Sequence, residues 1–376
     1  MWDSTKLCFL GGKEALVFWG RLCYIGQLKM ILKFERNLTV KKLLSLLLLC
    51  ALLTGCGAKA EPKDPNKLHI VATVFPAYDF ARAAAGEYAE VTLLLPPGAE
   101  SHSYEPTPAD ILAVRDCDLF LYLGGDSDAW VDTILTSVEP TGHAMRMVDC
   151  VELLAEEHVE GMQLEPGHTH EDGEECHEEH HDHGHGHEEE HEEDSGLGRV
   201  TGYDEHVWTS PKNAAAITRS IGAELAELDP AHGAEYLASA EAYAAEIDRV
   251  DEAMTAYFDS LTDRTIVFGD RFPLRYFAEQ YRLDYYAAFP GCSTQTEPSA
   301  ATIAFLVDKV ERENIPTVWY IEFSNHLVAD SIAEATGTET ALFHTCHNVS
   351  RAELDSGVTY VSLMEQNLET LQANLT

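Results

Sequence analysis

The chain has 376 residues, with 64 Asp and Glu against 25 Lys and Arg and a formal net charge of -39. A chain this acidic is repelled by nucleic acid and by anionic membrane surfaces, which excludes both as charge-driven partners and favours a cationic ligand. The length leaves room for one large domain or two lobes with real cores, so no disulfide or metal staple is needed for folding.

Lys41 and Lys42 precede an apolar run from Leu43 to Leu53, shorter than the roughly 20 residues that a membrane-spanning helix needs. The run ends at Leu53-Thr54-Gly55-Cys56, small residues before a cysteine, which is the spacing of a bacterial lipobox. Residues 1–56 therefore read as a leader, with Cys56 lipidated and becoming the mature N-terminus. A complete signal peptide is expected to start near Met30 or shortly after, and a wrongly chosen start codon would explain residues 1–29. Residues 57–67, with Pro62 and Pro65, read as a tether off the membrane. Cys8, Cys23 and Cys50 leave with the leader, so Cys117, Cys150, Cys176, Cys292 and Cys346 remain beside the lipidated Cys56. Five is an odd number, so outside the cytoplasm at least one thiol lacks a disulfide partner.

Residues 68–229 carry the first lobe. Leu68 to Phe75 is a continuous apolar run with β-branched residues, Ala77 to Ala85 is helical in pattern and closes at Gly86, and Val91 to Leu95 is apolar again. Pro108 to Asp116 predicts a helix and Leu119 to Leu123 a further buried strand. Alternation at this spacing predicts parallel βαβ units. An insert at about 157–194 has no apolar periodicity, carries much of the acidic charge and predicts a solvated loop. Pro211 opens a helix through Leu228, and Asp229-Pro230 predicts the cap and first turn of a long helix filling 230–262. Residues 263–376 repeat the alternation as strand Thr265 to Phe268, helix Pro273 to Tyr281, strand Leu283 to Ala288, helix Ser299 to Glu313, strand Thr317 to Ile321, helix Leu327 to Thr336, strand Thr340 to Phe343 and helix Tyr360 to Leu375. The predicted fold is α/β: two lobes, each with a mostly parallel sheet flanked by helices, joined by one long rigid helix.

Ligands of open α/β sheets bind beyond the carboxyl ends of the strands, so polar residues at those ends are the site candidates. Three histidines sit there: His102 in Gly-Ala-Glu-Ser-His-Ser-Tyr-Glu-Pro-Thr-Pro, His206 in Asp-Glu-His-Val-Trp-Thr-Ser-Pro, and His344 directly after the strand ending at Phe343. Neutral imidazole suits zinc, copper, iron or nickel, whereas calcium and magnesium want oxygen cages. Cys292 and Cys346 also fall at strand-end loops of the second lobe; an oxidising compartment favours a disulfide between them, with thiolate ligation or free thiols as alternatives.

With these motifs the mature chain resembles the metal-specific family of ABC-transporter solute-binding lipoproteins for zinc and manganese, of the zinc-uptake type. That resemblance implies a ligand histidine before Tyr-Glu-Pro-Thr-Pro, matching His102, and a second in Asp-Pro-His-x-Trp-Leu-Ser-Pro, matching His206. It also implies a third in His-Asp-Ala-Phe-x-Tyr-Phe, but the aligned stretch here is Gly269-Asp270-Arg271-Phe272, and Gly269 brings no ligand. A fourth, acidic ligand is implied near the C-terminus, where Leu342-Phe343-His344 stands instead, so His344 completes a three-histidine set and Asp270, Glu322 or water is left as the fourth. The zinc members carry a His-rich loop before the second ligand. Here His168, His170, His177, His180, His181, His183, His185 and His187 occupy that place as a metal-collecting tract, close spacing giving it avidity.

The expected function is extracytoplasmic, lipid-anchored capture of Zn2+ and delivery to an ABC permease, with no nucleic-acid partner. Manganese or nickel binding and metal-dependent adhesion are the alternatives of the same type. An enzymatic alternative is a zinc hydrolase with Glu100 or Glu205 as base. The lack of His-Glu-x-x-His and the presence of a lipobox weigh against it.

Overall fold

The computed structural model describes residues 64, 66–101, 104–125, 128–138, 142–162, 202–291, 293 and 297–375. The expected leader and lipidation site at Cys56, His102, the His-rich tract and Cys292 lie outside them.

The first sheet is built on β1 (Leu68–Ala72), whose apolar residues Ile70, Val71 and Ala72 are buried, as a strand covered on both faces requires. It pairs in parallel with β2 (Ala89–Leu93) and β3 (Leu119–Tyr122), and β3 pairs with β4 (His143–Arg146), giving the order β2-β1-β3-β4. The crossover helices are α1 (Phe75–Ala85), α2 (Pro108–Arg115) and α3 (Ala129–Ser137). α2 starts where its sequence says it should: Thr107 Oγ1 accepts from the Asp110 amide and the Asp110 carboxylate accepts from the Thr107 amide, a closed capping box.

Two helices follow, α4 (Pro211–Leu228) and α5 (Gly233–Ser260). The expected start of α5 at Asp229-Pro230 shifts by three residues. Asp229 instead forms a turn of its own, Oδ1 accepting from the Ala231 amide at 3.2 Å and Oδ2 meeting His232 Nδ1 at 2.6 Å and the Tyr236 hydroxyl at 3.0 Å. The second sheet contains β5 (Thr265–Phe272), β6 (Asp284–Pro290), β7 (Thr317–Ile321) and β8 (Glu339–Phe343) in the order β6-β5-β7-β8, again all parallel. Its helices are α6 (Arg275–Tyr281), α7 (Ala300–Glu313), α8 (Leu327–Thr336), α9 (Arg351–Ser356) and α10 (Tyr360–Asn374). The expected α/β fold with two parallel sheets is therefore present, and the two sheets share one strand order.

α5 has 28 residues and so a length of about 42 Å at 1.5 Å per residue. Its buried positions Tyr236, Ala240, Ala244, Ile247, Val250, Met254 and Phe258 repeat every three or four residues along one stripe. That stripe packs on α1 and α4 at one end and on α6 and α10 at the other. One hydrophobic cluster runs from Ile70 and Leu121 through the stripe to Phe268 and Trp319. The two sheets are joined through this common core rather than by a flexible link. Each sheet keeps a smaller cluster of its own, around Val71 and Phe120 in the first and Val267 and Val318 in the second.

Candidate metal centre

Loops at the carboxyl ends of the strands converge on a cavity of about 160 Å³. Its wall is formed by Gly98 to Ser101 after β2, by His206, by Arg271 at the end of β5, by Gly291 after β6, by Glu322 after β7 and by Thr345, His347 and Asn348 after β8. Both sheets face it with their strand ends, the position where such folds bind ligands.

His206 precedes a short 3-10 turn, Val207–Thr209, that leads into α4. Asp204 Oδ1 accepts from the His206 amide at 2.8 Å and lies 3.0 Å from its Nδ1. A carboxylate there holds the proton on Nδ1, which leaves the Nε2 lone pair free for a metal and fixes the ring plane. Asp204 is itself held, its carbonyl accepting from the Tyr276 hydroxyl at 2.8 Å. Burial pulls the His206 pKa down, yet the adjacent Asp204 charge and hydrogen bond outweigh it and leave the value raised. Gly291 is required beside this ring, since a β-carbon there would stand 3.3 Å from His206 Cε1 and 2.9 Å from Pro273 Cα.

The second imidazole on the wall is His347. Its ring centre lies 5.9 Å from that of His206 with the planes at 78°, and both rings border Trp208, at 5.1 and 5.4 Å. Two imidazoles bound to one tetrahedral zinc at about 2.0–2.1 Å place their ring centres about 5 Å apart, so the pair is close to a chelating separation. Trp208 secures the arrangement, its indole N–H donating to the Thr345 carbonyl at 2.9 Å and its carbonyl accepting from the Tyr360 hydroxyl at 2.8 Å.

His344 does not line the cavity. Its Nδ1 accepts from the Cys346 amide at 3.0 Å, and its backbone is tied on both sides to the Asn367 amide group. A neutral ring that accepts at Nδ1 carries its proton on Nε2, and that nitrogen is buried with no hydrogen-bond partner among the described residues. Asp270 is also off the wall, its oxygens accepting from the amides of Arg271 at 2.8 Å and Ile321 at 3.4 Å. Glu322 reaches the wall but is committed to Thr345, accepting from the amide at 2.7 Å and the hydroxyl at 2.5 Å. Among the described residues no three His, Cys, Asp or Glu side chains form a complete metal cage. His102, which follows Ser101 on the wall, is outside that set.

Two further features were not legible in the sequence. Gly269 sits where β5 slips register between Phe268 and Arg271, and a β-carbon there would stand 2.4 Å from Ala329 Cα and 2.5 Å from Ala329 N. The backbone of α8 thus fills the space that a side chain at 269 would need. Cys346 occupies a left-handed turn at φ 62 and is a free, buried thiol whose pKa burial drives well above the ordinary value. That turn lets His347, four residues past the strand, share the wall with His206. The repeated histidine in His344-Thr345-Cys346-His347 was the available signal.

The cavity also joins the two halves. Gly98 donates to the Val349 carbonyl at 2.9 Å, and the Asn348 side-chain amide donates to the carbonyls of Pro96 and Ala99, both at 2.9 Å. Arg271 Nη2 meets Glu100 Oε2 at 3.0 Å across the same gap.

The sequence profile of the family described as ZnuA, zinc-uptake complex component A, periplasmic, matches residues 70–374. The chain is 31% identical over 339 residues to the high-affinity zinc uptake system protein ZnuA of Bacillus subtilis, covering 86% of this chain and 94% of that protein. It is 28% identical over 333 residues to the zinc-binding lipoprotein AdcA of Streptococcus pneumoniae, where the match takes in 88% of this chain but 60% of the longer relative. Among solved structures, the metal-dependent lipoprotein YcdH of Bacillus subtilis superposes with a TM-score of 0.64 at 25% identity, covering 82% of this chain and all of that one.

Proposed function

The chain belongs to the ZnuA family of zinc-uptake components, and from that premise we propose that it captures Zn2+ outside the cytoplasm and hands it to an ABC permease. The observation that carries the reading is the facing pair of His206 and His347 in the strand-end cavity, with Asp204 presenting Nε2 of His206. His102 supplies a third imidazole from the loop that continues beyond Ser101, in the motif read from the sequence. His347 takes the place first given to His344. Asp270 serves the backbone instead of the ion.

Cys56 carries the lipid that keeps the protein at the outer face of the membrane, residues 57–67 are its tether, and His168 to His187 gather zinc for the cavity. Imidazole ligands favour zinc over manganese, which accepts carboxylates more readily. Charge supports cargo of this sign, since acidic residues outnumber basic ones 64 to 25.

Calorimetric titration of the full chain with Zn2+ at neutral pH tests the ligand set. His206→Ala and His347→Ala each weaken binding by more than about 100-fold, beyond the about 10–100-fold that loss of a supporting residue costs, and His344→Ala weakens it less. Loss confined to His344→Ala would return that residue to the ligand set. Unchanged binding in His206→Ala would remove the cavity from the function.

A further inference from the structure

The cavity holds more than a cation site. Along the end of β5 the expected ligand histidine is replaced by Gly269, and two residues on, where the family pattern has alanine, Arg271 puts a guanidinium on the cavity wall. One nitrogen of that guanidinium meets Glu100 at 3.0 Å, which leaves its other N–H groups as donors for a second negative group. Ser101, on the same wall, is 4% exposed, and among the described residues its hydroxyl has no hydrogen-bond partner. A buried hydroxyl left unpaired is costly, so the site is built for a ligand that satisfies it. The volume of about 160 Å³ also exceeds what a single ion fills and has room for several further atoms.

We propose that this chain binds zinc together with a small carboxylate-class oxyanion, which occupies the coordination position that β5 no longer supplies and is held by Arg271 and Ser101. The proposal rests on the zinc reading above. Zinc sites with three protein ligands keep a fourth position open for an exogenous group, and an oxyanion is a suitable donor. One Arg271 nitrogen is engaged by Glu100 at 3.0 Å, and a guanidinium carries five N–H donors in a fork matched to carboxylates, so the remaining edge can take the anion. The bound species is then a metal–anion pair, and Arg271 sets specificity for the anion rather than for the metal.

The test uses the full chain loaded with Co2+, whose visible absorption reports the ligand field of a zinc-type site, in buffer free of chloride and carboxylates. Titration with sodium acetate, and separately with sodium bicarbonate, shifts the band saturably in the wild type; the arm that responds identifies an organic or an inorganic source. Arg271→Gln raises the midpoint by about tenfold or more, the scale of a lost charged hydrogen bond, and Ser101→Ala raises it by a smaller factor. Arg275→Gln, at an arginine paired with Glu157 and Glu279 and absent from the cavity wall, keeps the wild-type midpoint. If Arg271→Gln melts early, Arg271→Lys, which keeps charge but loses the fork, carries the comparison. A cobalt band that forms but ignores both anions overturns the co-ligand, as does a shift of equal midpoint in Arg271→Gln. Failure to load cobalt or zinc at all sinks the zinc reading instead, and calorimetry in the same anion-free buffer tells the two failures apart.

Discussion

The family pattern invites a repair: restore the missing histidine by making Gly269→His. The structure predicts that the repair damages the protein. Gly269 is buried on β5, and its missing β-carbon would come within 2.4 Å of Ala329 Cα and 2.5 Å of Ala329 N. Both atoms are backbone of α8, so relief requires the whole helix to move off the sheet rather than one side chain to rotate. Ala329 and Ile332 of that helix are fully buried against Val318 of β7, which leaves little slack. Overpacking of this kind costs about 1–3 kcal/mol for added methylenes, and a backbone clash belongs at the upper end. At about 2.1 cal/mol/K of unfolding entropy per residue, the unit Lys63–Thr376 loses about 1.5 °C of Tm per kcal/mol, so a loss of roughly 4–5 °C follows for about 3 kcal/mol. Gly269→Ala separates sterics from ligation, because it adds the same β-carbon with no imidazole. Thermal melts of the metal-free proteins followed by circular dichroism, with zinc titration beside them, give the result. Both variants melt lower than wild type, and Gly269→His binds zinc no tighter. A Gly269→His protein that melts with wild type and gains zinc affinity would show that the end of β5 is open, and the steric account of the lost ligand would fall.

Two other outcomes follow from charge placement. Asp204→Asn removes the carboxylate that holds the proton on His206 Nδ1, so zinc affinity drops by about 10–100-fold while the fold remains; calorimetry reads it, and unchanged affinity would mean the tautomer needs no carboxylate. Asp128 is buried, accepts from the amides of Leu123 and Gly124, and has its pKa pushed up to about 7 by burial and by the nearby Glu205 charge. A carboxyl whose folded pKa is raised favours folding most below the unfolded value near 3.8, and that advantage disappears as pH climbs towards 7. Asp128→Asn keeps an accepting oxygen and does not ionise. It is therefore the more stable form at neutral pH, by up to about 4 kcal/mol at 1.36 kcal/mol per pKa unit, with the gap closing by about pH 4. Denaturant melts at the two pH values decide it, a pH-independent gap being the refuting result.

Much of this architecture could be read from residue order because its strands are covered on both faces and so appear as apolar runs, as in Ile70 to Ala72 and Val318 to Ile321. Where that signal fades, the reading fades with it. β4, whose residues are His-Ala-Met-Arg, is an edge strand with no residue fully buried, and its place is set by pairing with β3 rather than by its own composition. α3 and α9 were likewise not anticipated, being short helices of nine and six residues whose apolar positions are too few to show a period. At the site, His206 was legible because Asp204, Trp208 and Ser210 crowd it within one local segment, each with a task the structure displays. His347 was not, because the left-handed turn at Cys346 decides which of two nearby histidines reaches the wall, and a non-glycine residue with positive φ leaves no mark in composition.

The stripe along α5 bears on how cargo is unloaded. Parting the halves would strip Tyr236, Ile247, Met254 and Phe258 of their cover, work far beyond thermal fluctuation, because each large apolar side chain brought into water costs about 1.5–3 kcal/mol. The fastenings over the cavity are much slighter: the contacts of Asn348 with Pro96 and Ala99, of Gly98 with Val349, and of Arg271 with Glu100. At about 0.5–1.5 kcal/mol for an ordinary hydrogen bond, their sum is a few kcal/mol, within reach of a docking partner that trades them for contacts of its own. Unloading is thus a matter of unbuttoning the rim while the body of the molecule holds its shape.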